Sequence, residues 1–275
     1  MTTPAEYLLD VRNLTVEYPS RHRRAPVRAV NGVSLRIGDG EVVGLVGESG
    51  CGKTTLGSAV MGMIAPTGGS IHYAGLPVNI ADHGAMRLYR RRVQMVFQDP
   101  MGALNPRMTA GSAIDETLFV HRDQPGLETA KGRRLRRCEL MEQVGLDDRV
   151  YGNRYAHELS GGQRQRIGIA RALAVGPRLL VADEPVSALD VSVQVQILNL
   201  LKDISERLSV ACLFIAHDLA VVRYMCRRLY VMYRGEIVEE GQSDDVFEHP
   251  SHPYTRDLIA AVPDVGRGLA ARQAQ

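Results

Sequence analysis

The sequence lacks the features of a secreted or membrane-spanning protein. Its four cysteines are widely spaced without a C-x-x-C pair, which excludes a disulfide framework or a zinc site and indicates reduced thiols. No run approaches the roughly 18 consecutive apolar residues of a transmembrane helix, and residues 1–6 lack the basic and apolar regions of a signal peptide. We therefore expect a cytoplasmic protein.

The sequence also has little excess charge. A formal net charge of +2 is too small to indicate a nucleic-acid partner, and the eight histidines show no metal-ligand spacing. Hydrophobic residues at 45% and charged residues at 23% are ordinary for a globular protein, and 275 residues are ample for a core. Composition and charge therefore do not indicate a function, and the function is inferred from the sequence motifs.

The strongest motif is the glycine-rich loop of residues 47–54, which reads G-x-x-x-x-G-K-[ST]. An apolar run at 41–46 predicts a buried parallel strand before it, and residues 53–61 predict a helix after it. In that context the backbone N–H groups and the helix N-terminus bind phosphate, Lys53 reaches the β- and γ-phosphates, and Thr54 contacts Mg²⁺. A glycine-rich turn without a ligand fits this context poorly. The residues assigned to nucleotide binding here are Gly47, Glu48, Ser49, Gly50, Cys51, Gly52, Lys53, Thr54 and Thr55.

An antiparallel β element is predicted before the loop. Residues 8–18 and 33–37 alternate apolar and polar side chains, and a basic stretch at 21–28 lies between them. Tyr18 ends the first strand, where it either stacks on a purine or is an ordinary strand tyrosine; the residues alone favour the latter. An apolar strand at 93–97 then ends at Gln98, which is where α/β proteins place ligand contacts.

The strand patterns seen before residue 100 are absent from residues 101–160, and this stretch predicts an inserted helical subdomain. The basic run from Lys131 to Arg137 within it is either a solvated helix face, which we favour, or a patch for phosphate backbones or lipid headgroups. Ser160-Gly161-Gly162-Gln163 follows at the start of a predicted helix, with Ser160 as the N-cap. This is either a simple capped turn or a second anion-binding helix N-terminus, about 110 residues beyond the first.

Acidic residues end the next buried strand. Residues 179–182 are apolar and lead into Asp183 and Glu184, which predicts that Asp183 holds Mg²⁺ and that Glu184 acts as general base on the attacking water. The apolar strand at 211–216 ends at His217. If that strand lies beside the first, His217 faces the γ-phosphate.

Together these motifs resemble the ATP-binding subunit of ABC transporters, over nearly the whole chain. The resemblance implies an α/β fold: a P-loop ATPase core with a parallel sheet, an antiparallel β subdomain and a helical subdomain near 101–160. It implies one ABC ATPase domain over 1–275, with a C-terminal tail at about 243–275. It also implies the following roles: Walker A loop from Gly47, Q-loop Gln98, signature motif Ser160 to Gln163, Walker B Asp183, catalytic Glu184, D-loop Asp190, switch His217 and adenine-stacking Tyr18.

The same resemblance implies a head-to-tail dimer with ATP between the loop of one subunit and the signature helix of the other. The catalytic residues would be Glu184, His217, Lys53 and Gln98, and the Mg²⁺ ligands Thr54, Gln98 and Asp183. Hydrolysis would then release the dimer.

Finer motifs at 97–107, 183–194 and 252–255 look like those of oligopeptide and dipeptide importers, a group that also includes nickel importers. This implies transmembrane permease subunits as partners, with a coupling helix near Gln98. It also implies a second ATPase subunit, for which we favour a different chain over a second copy of this one. An extracytoplasmic solute-binding protein would act indirectly. The chain itself would lie peripherally on the cytoplasmic face of the membrane. Because the chain stops soon after 252–255, we expect no iron–sulfur cluster.

Three other functions remain as alternatives. A soluble ABC ATPase acting on nucleic acid or ribosomes usually has two ATPase halves or a long coiled coil, and neither is visible here. A non-hydrolysing nucleotide-binding regulator does not need Glu184 and His217. An unrelated P-loop kinase would not explain the signature helix.

Overall fold

The computed structural model describes residues 7–19, 26–99, 102 and 104–261. The strands are β1 (Leu9–Tyr18), β2 (Val27–Ile37), β3 (Val42–Val46), β4 (Gly68–Tyr73), β5 (Leu76–Pro77), β6 (Val93–Val96), β7 (Leu179–Asp183), β8 (Ala211–Ala216), β9 (Arg228–Tyr233) and β10 (Glu236–Gln242). The helices are α1 (Lys53–Val60), α2 (His83–Arg92), α3 (Ala110–Val120), α4 (Ala130–Gln143), α5 (Asp148–Tyr151), α6 (Gly161–Leu173), α7 (Val191–Leu208), α8 (Leu219–Met225), α9 (Ser243–Glu248) and α10 (Pro253–Ala260), with a 3-10 turn at Ala156–Glu158.

The central layer is a six-stranded sheet in the order β10-β9-β3-β8-β7-β6. All neighbouring strands are parallel except β10, which pairs antiparallel with β9. Strands β7 and β8 are buried along their whole length, as expected for parallel strands covered on both faces. The order places β8 directly beside β7, as the interpretation of His217 required.

Alternate residues of this sheet enter two separate cores. Phe214 and Leu180 pack with α6 and α7 on one face, whereas Leu213 and Val181 pack with α1 and the antiparallel strands on the other. Such double burial supplies most of the driving force for folding, at about 25 cal/mol per Å² of apolar surface.

The second sheet is antiparallel, in the order β2-β1-β4-β5. Its second strand begins at Val27 rather than at the predicted Val33. The prediction was too short because pairing with β1, as in Tyr18 with Val27, extends the strand into the basic stretch. Arg28 there forms an ion pair with Glu17. Residues 21–25 of that stretch lie outside the described residues.

Residues 104–160 contain helices and no extended strand among those described. Two arginines of the basic run in α4 contact other parts of this helical region. Arg137 forms ion pairs with Asp115 of α3 and Asp148 of α5, and Arg133 donates to the carbonyl of Leu127. Lys131 and Arg134 thus lie on a solvated helix face as predicted, whereas Arg133 and Arg137 contact neighbouring segments of the chain. The α/β fold class is thus confirmed, and the exact domain limits stay a prediction. None of the helices in the described ranges combines the length and apolarity needed to cross a bilayer.

Candidate nucleotide-binding site

The glycine-rich loop leaves β3 and leads into α1, as the sequence predicts. Two of its glycines are packed against backbone: a Cβ on Gly47 would lie 2.1 Å from the carbonyl oxygen of Met232, and one on Gly52 would lie 2.1 Å from that of Ala29. Gly52 also has a φ of +111°, whereas Gly50 has a φ of +81° with nothing within 4 Å of its Cβ position. The loop is therefore held between the end of β9 and β2, and only glycine fits the close approaches.

Gly52→Ala is expected to weaken nucleotide binding at least about ten-fold, because the new methyl group must push the loop away from β2. Gly50→Ala shares the cost of a positive φ but meets no neighbouring atom, so we expect a clearly smaller loss. Titration of both variants with a fluorescent nucleotide compares them. Equal losses in the two variants would mean that the contact with Ala29 is unimportant.

Lys53 lies inside the loop and is only 4% exposed. Its Nζ donates to the carbonyl oxygens of Gly47 at 2.7 Å and Glu48 at 2.8 Å and is 4.0 Å from Oε1 of Glu184. Burial raises the pKa of the neighbouring Cys51 thiol, although the charge of Lys53 opposes the shift. The loop thus contains a fixed positive charge beside a neutral thiol.

Asp183 ends β7 opposite the start of α1. Its Oδ1 accepts a hydrogen bond from the Thr54 hydroxyl at 3.2 Å, and the residue is 3% exposed. Burial raises the pKa of the carboxyl, and Glu184 adds to the shift, while Thr54 and Lys53 oppose it. A carboxylate and a hydroxyl in this arrangement fit Mg²⁺, which prefers oxygen ligands and takes the rest from water and phosphates. The described residues hold no group of three His, Cys, Asp or Glu that could bind a metal by itself.

Asp183→Asn is expected to raise the melting temperature of the nucleotide-free protein at pH 7 by a few degrees. Because the pKa is raised in the folded state, the cost of ionising Asp183 grows as the pH rises from the unfolded pKa to the folded pKa, and it is fully present above the folded pKa. Asparagine removes this cost and still accepts from Thr54. Because the penalty disappears below the unfolded pKa of about 3.9, the difference between the two melting curves should shrink as the pH is lowered towards 4. A lower melting temperature for the variant at pH 7 would contradict this account.

Glu184 has a left-handed backbone conformation with a φ of +43°. Its side chain therefore does not follow the alternation of side chains along β7. Its N–H donates to the carbonyl of Ile215 in β8 at 2.9 Å. Its Oε2 lies 3.1 Å from Nδ1 of His217 and 3.3 Å from Nε2 of Gln98. Strained backbone of this kind is common at functional sites. Residues from the ends of β7, β8 and β6 therefore meet at one carboxylate.

The signature motif starts α6 with a capping box. Ser160 Oγ accepts from the N–H of Gln163 at 3.3 Å, and the Gln163 side chain accepts from the N–H of Ser160 at 2.9 Å. The remaining N–H groups of the first turn, at Gly161 and Gly162, have no partner within the helix. Gly162 packs closely on Val193 of α7, the helix that Asp190 precedes.

Within one chain, the N-terminus of α1 at the glycine-rich loop and the N-terminus of α6 at the signature motif do not come together. The loop follows β3, and α6 packs on β6, which is separated from β3 by β8 and β7. Three strand spacings amount to about 14 Å. Among the described residues no hydrogen bond or ion pair joins residues 160–163 to residues 47–55.

Tyr18 lies at the edge of this region. It is 40% exposed and pairs with Val27, two residues before Ala29, whose carbonyl borders Gly52. Its position is compatible with a base beside the loop, and the stacking role stays a prediction.

Sequence reasoning missed Gln165. This side chain is 1% exposed, and its Nε2 donates to the carbonyl of Phe97 at 3.5 Å, which joins the signature helix to the segment before Gln98. A signal existed: Gln165 lies on the same helical face as Gly162, Ile169 and Ala172, and a polar side chain on an apolar face needs a partner.

Known protein families and proteins resemble this chain. A family model described as ABC transporter matches residues 30–187, and one described as oligopeptide/dipeptide transporter, C-terminal region, matches residues 238–275. A putative peptide import ATP-binding protein of Brucella ovis is 51% identical over 93% of this chain and 78% of its own length. The oligopeptide transport ATP-binding protein OppF of Bacillus subtilis is 46% identical over 94% of this chain and 83% of its own.

Solved structures give the same result. An ATP-binding cassette solved as a dimer in a post-hydrolysis state bound to ADP and Pi matches with a TM-score of 0.76 at 30% identity, over 86% of this chain and 98% of that one. CbiO1 from Clostridium perfringens, part of an ABC transporter complex, matches with a TM-score of 0.78 at 26% identity, over 96% and 99% of the two chains. The resemblance inferred from the motifs is confirmed: this chain belongs to the ABC transporter family and is an ATPase component of that family.

Proposed function

We propose that this chain hydrolyses ATP at a site shared between two subunits and thereby energises the import of oligopeptides or dipeptides. The observation that carries the catalytic part is the meeting of Gln98 and His217 at Glu184, beside Lys53 and Asp183. The peptide part is supported by the names of relatives at 46–51% identity and by the C-terminal match.

In the proposed mechanism the loop N–H groups and Lys53 bind the β- and γ-phosphates. To do so, Lys53 exchanges the carbonyls of Gly47 and Glu48 for phosphate oxygens. Thr54, Asp183 and the amide oxygen of Gln98 would hold Mg²⁺, and the bound ion would supply positive charge beside the phosphates. Glu184 accepts a proton from the attacking water, and His217 and Gln98 fix the position of its carboxylate.

The site becomes complete in a head-to-tail dimer. The N–H groups at the start of α6 face an anion in the proposed dimer, and that anion is the γ-phosphate bound by the other subunit. The separation of the two helix N-termini within one chain supports this arrangement. The proposed second subunit is a related but different ATPase chain. Gel filtration of the Glu184→Gln variant with ATP tests the choice, because a stable homodimer would count against a heterodimer.

A groove beside Gln98 is the proposed contact with a permease. It measures about 490 Å³ and is lined by Met61, Met63, Arg90, Gln94, Met95, Val96, Phe97, Thr117, Gln165, Gly168, Arg171 and Ala172. Phe97 is 40% exposed and Met63 53% exposed, so apolar side chains are available for a coupling helix. The hydrogen bond between Gln165 and Phe97 links this groove to the signature helix.

The test is a tagged pull-down of the chain from gently solubilised native membranes. Recovery of two polytopic membrane proteins is expected, in keeping with a peripheral place on the cytoplasmic face. The solute-binding protein of that transporter is then titrated with peptides and with nickel. Peptide binding is expected; nickel binding would overturn the peptide assignment. Recovery of ribosomes or DNA-repair factors without membrane proteins would overturn the transport role.

A further inference from the structure

The tail motif at 251–255 reaches the nucleotide-binding loop. Tyr254 lies in the first turn of α10, is 8% exposed, and accepts a hydrogen bond from the Glu48 N–H to its hydroxyl at 2.7 Å. The two residues are 206 positions apart in the chain. A buried hydroxyl in contact with the loop backbone is a specific arrangement, because neither partner is brought there by the local chain.

The position of Tyr254 is fixed from the side of α10. Glu239 of β10 accepts hydrogen bonds from the N–H and hydroxyl of Ser251 at 2.7 and 2.8 Å and from the N–H of His252 at 3.0 Å. Burial would raise the pKa of this carboxyl, but the hydrogen bonds it accepts outweigh burial and lower the pKa. Nδ1 of His252 in turn accepts from the N–H of Tyr254 at 3.2 Å.

The ring of Tyr254 is fixed as well. It stacks on Tyr233 at the end of β9, with the ring centroids 4.2 Å apart and the planes at 30°. The same hairpin contacts the loop directly, because the N–H of Gly235 donates to the carbonyl of Cys51 at 2.9 Å. The β9–β10 hairpin therefore supports both the loop and the residue that contacts it.

Both backbone polar groups of Glu48 form hydrogen bonds. Its carbonyl accepts from Lys53, and its N–H donates to Tyr254. In the proposed mechanism Lys53 leaves that carbonyl for the phosphates. The bond to Tyr254 uses the N–H of Glu48 and does not involve the lysine, so the movement of Lys53 does not itself break it.

We propose that Tyr254 is a positioning residue for nucleotide binding, through which the C-terminal tail motif holds the phosphate-binding loop in its binding conformation. The proposal rests on the proposed site and extends it to a segment that lies outside the ATPase motifs. It predicts that the tail tunes the affinity for nucleotide without taking part in the hydrolytic step.

The test compares two full-length variants that each lose one hydroxyl. Tyr254→Phe keeps the stacked ring but removes the acceptor for Glu48. Tyr233→Phe is the matched control, because it keeps the ring that stacks on Tyr254 and the Tyr233 hydroxyl has no hydrogen-bond partner among the described residues. With fluorescent ADP, Tyr254→Phe should raise the dissociation constant about five-fold, which is what the loss of one hydrogen bond typically costs. Tyr233→Phe should bind like the wild type.

Hydrogen exchange gives a readout that loss of general stability would not produce. Without nucleotide, the amide of Glu48 should exchange faster in Tyr254→Phe than in Tyr233→Phe, while the amides of β7 and β8 exchange equally in both. Unchanged affinity of Tyr254→Phe for ADP would overturn the proposal, and so would unchanged exchange at Glu48. Lys53→Ala in the same titration separates this from a failure of the site itself: if the wild type binds ADP no better than Lys53→Ala, the proposed site is wrong.

Discussion

Replacing Glu184 with glutamine is expected to lower the rate of ATP hydrolysis by at least about 100-fold and to leave ATP binding nearly intact. General-base catalysis contributes about 10²–10⁴ to such rates, and an amide cannot accept the proton of the attacking water. Glutamine has the same shape, and its amide can still contact His217 and Gln98, which lie 3.1 and 3.3 Å from the present carboxylate. The loop and Lys53 keep their phosphate contacts.

Phosphate release measures the first effect, and titration with ATP measures the second. The matched control is Glu206→Gln, which removes an exposed carboxylate from α7 and should behave like the wild type. The measurement uses the assembled transporter, since the chain alone supplies half of each proposed site. Turnover of Glu184→Gln within a few-fold of the wild type would remove Glu184 from the mechanism. Loss of binding together with turnover would instead indicate a structural role.

Lys53→Ala should abolish hydrolysis and weaken ATP binding by about 100-fold. The ammonium group is already desolvated and directed into the loop, where it donates hydrogen bonds to two carbonyl oxygens. Charge-assisted hydrogen bonds to phosphate are worth about 1.5–3 kcal/mol each, so the loss of one or two gives a change of this size. Alanine cannot supply this charge, and it also removes the lysine donor from the carbonyl of Gly47, whereas the carbonyl of Glu48 keeps the N–H of Cys51 at 3.3 Å.

Lys131→Ala is the matched control for this variant, because Lys131 is an exposed lysine of α4. It removes the same charge from the chain and should leave both affinity and turnover unchanged. Nucleotide titration of the two variants side by side separates the specific contact from a change in net charge. Wild-type affinity in Lys53→Ala would contradict the assignment of the loop. Reduced affinity in Lys131→Ala would show that the basic run of α4 takes part in nucleotide binding.

Local patterns were sufficient to predict the strands and helices that carry the candidate site. The buried strands β7 and β8 are apolar because both faces are covered, and the apolar runs at 179–182 and 211–216 predicted them. The glycine-rich loop was recognisable because its chemistry depends on consecutive residues. Strand β2 was predicted too short because the residues that extend it pair with β1, and that pairing is not visible in the local alternation.

The sequence by itself determined the chemistry of this protein: a phosphate loop, carboxylates at the end of a buried strand, and a second anion-binding helix N-terminus. Each of these is encoded in a few consecutive residues. Only the tertiary structure decided which groups meet. The strand order brings His217 and Gln98 to Glu184 but keeps α6 away from the loop, and the β9–β10 hairpin brings Tyr254 to Glu48. These contacts depend on packing between elements distant in the chain, where many residue types satisfy the local pattern and long-range burial selects the partners.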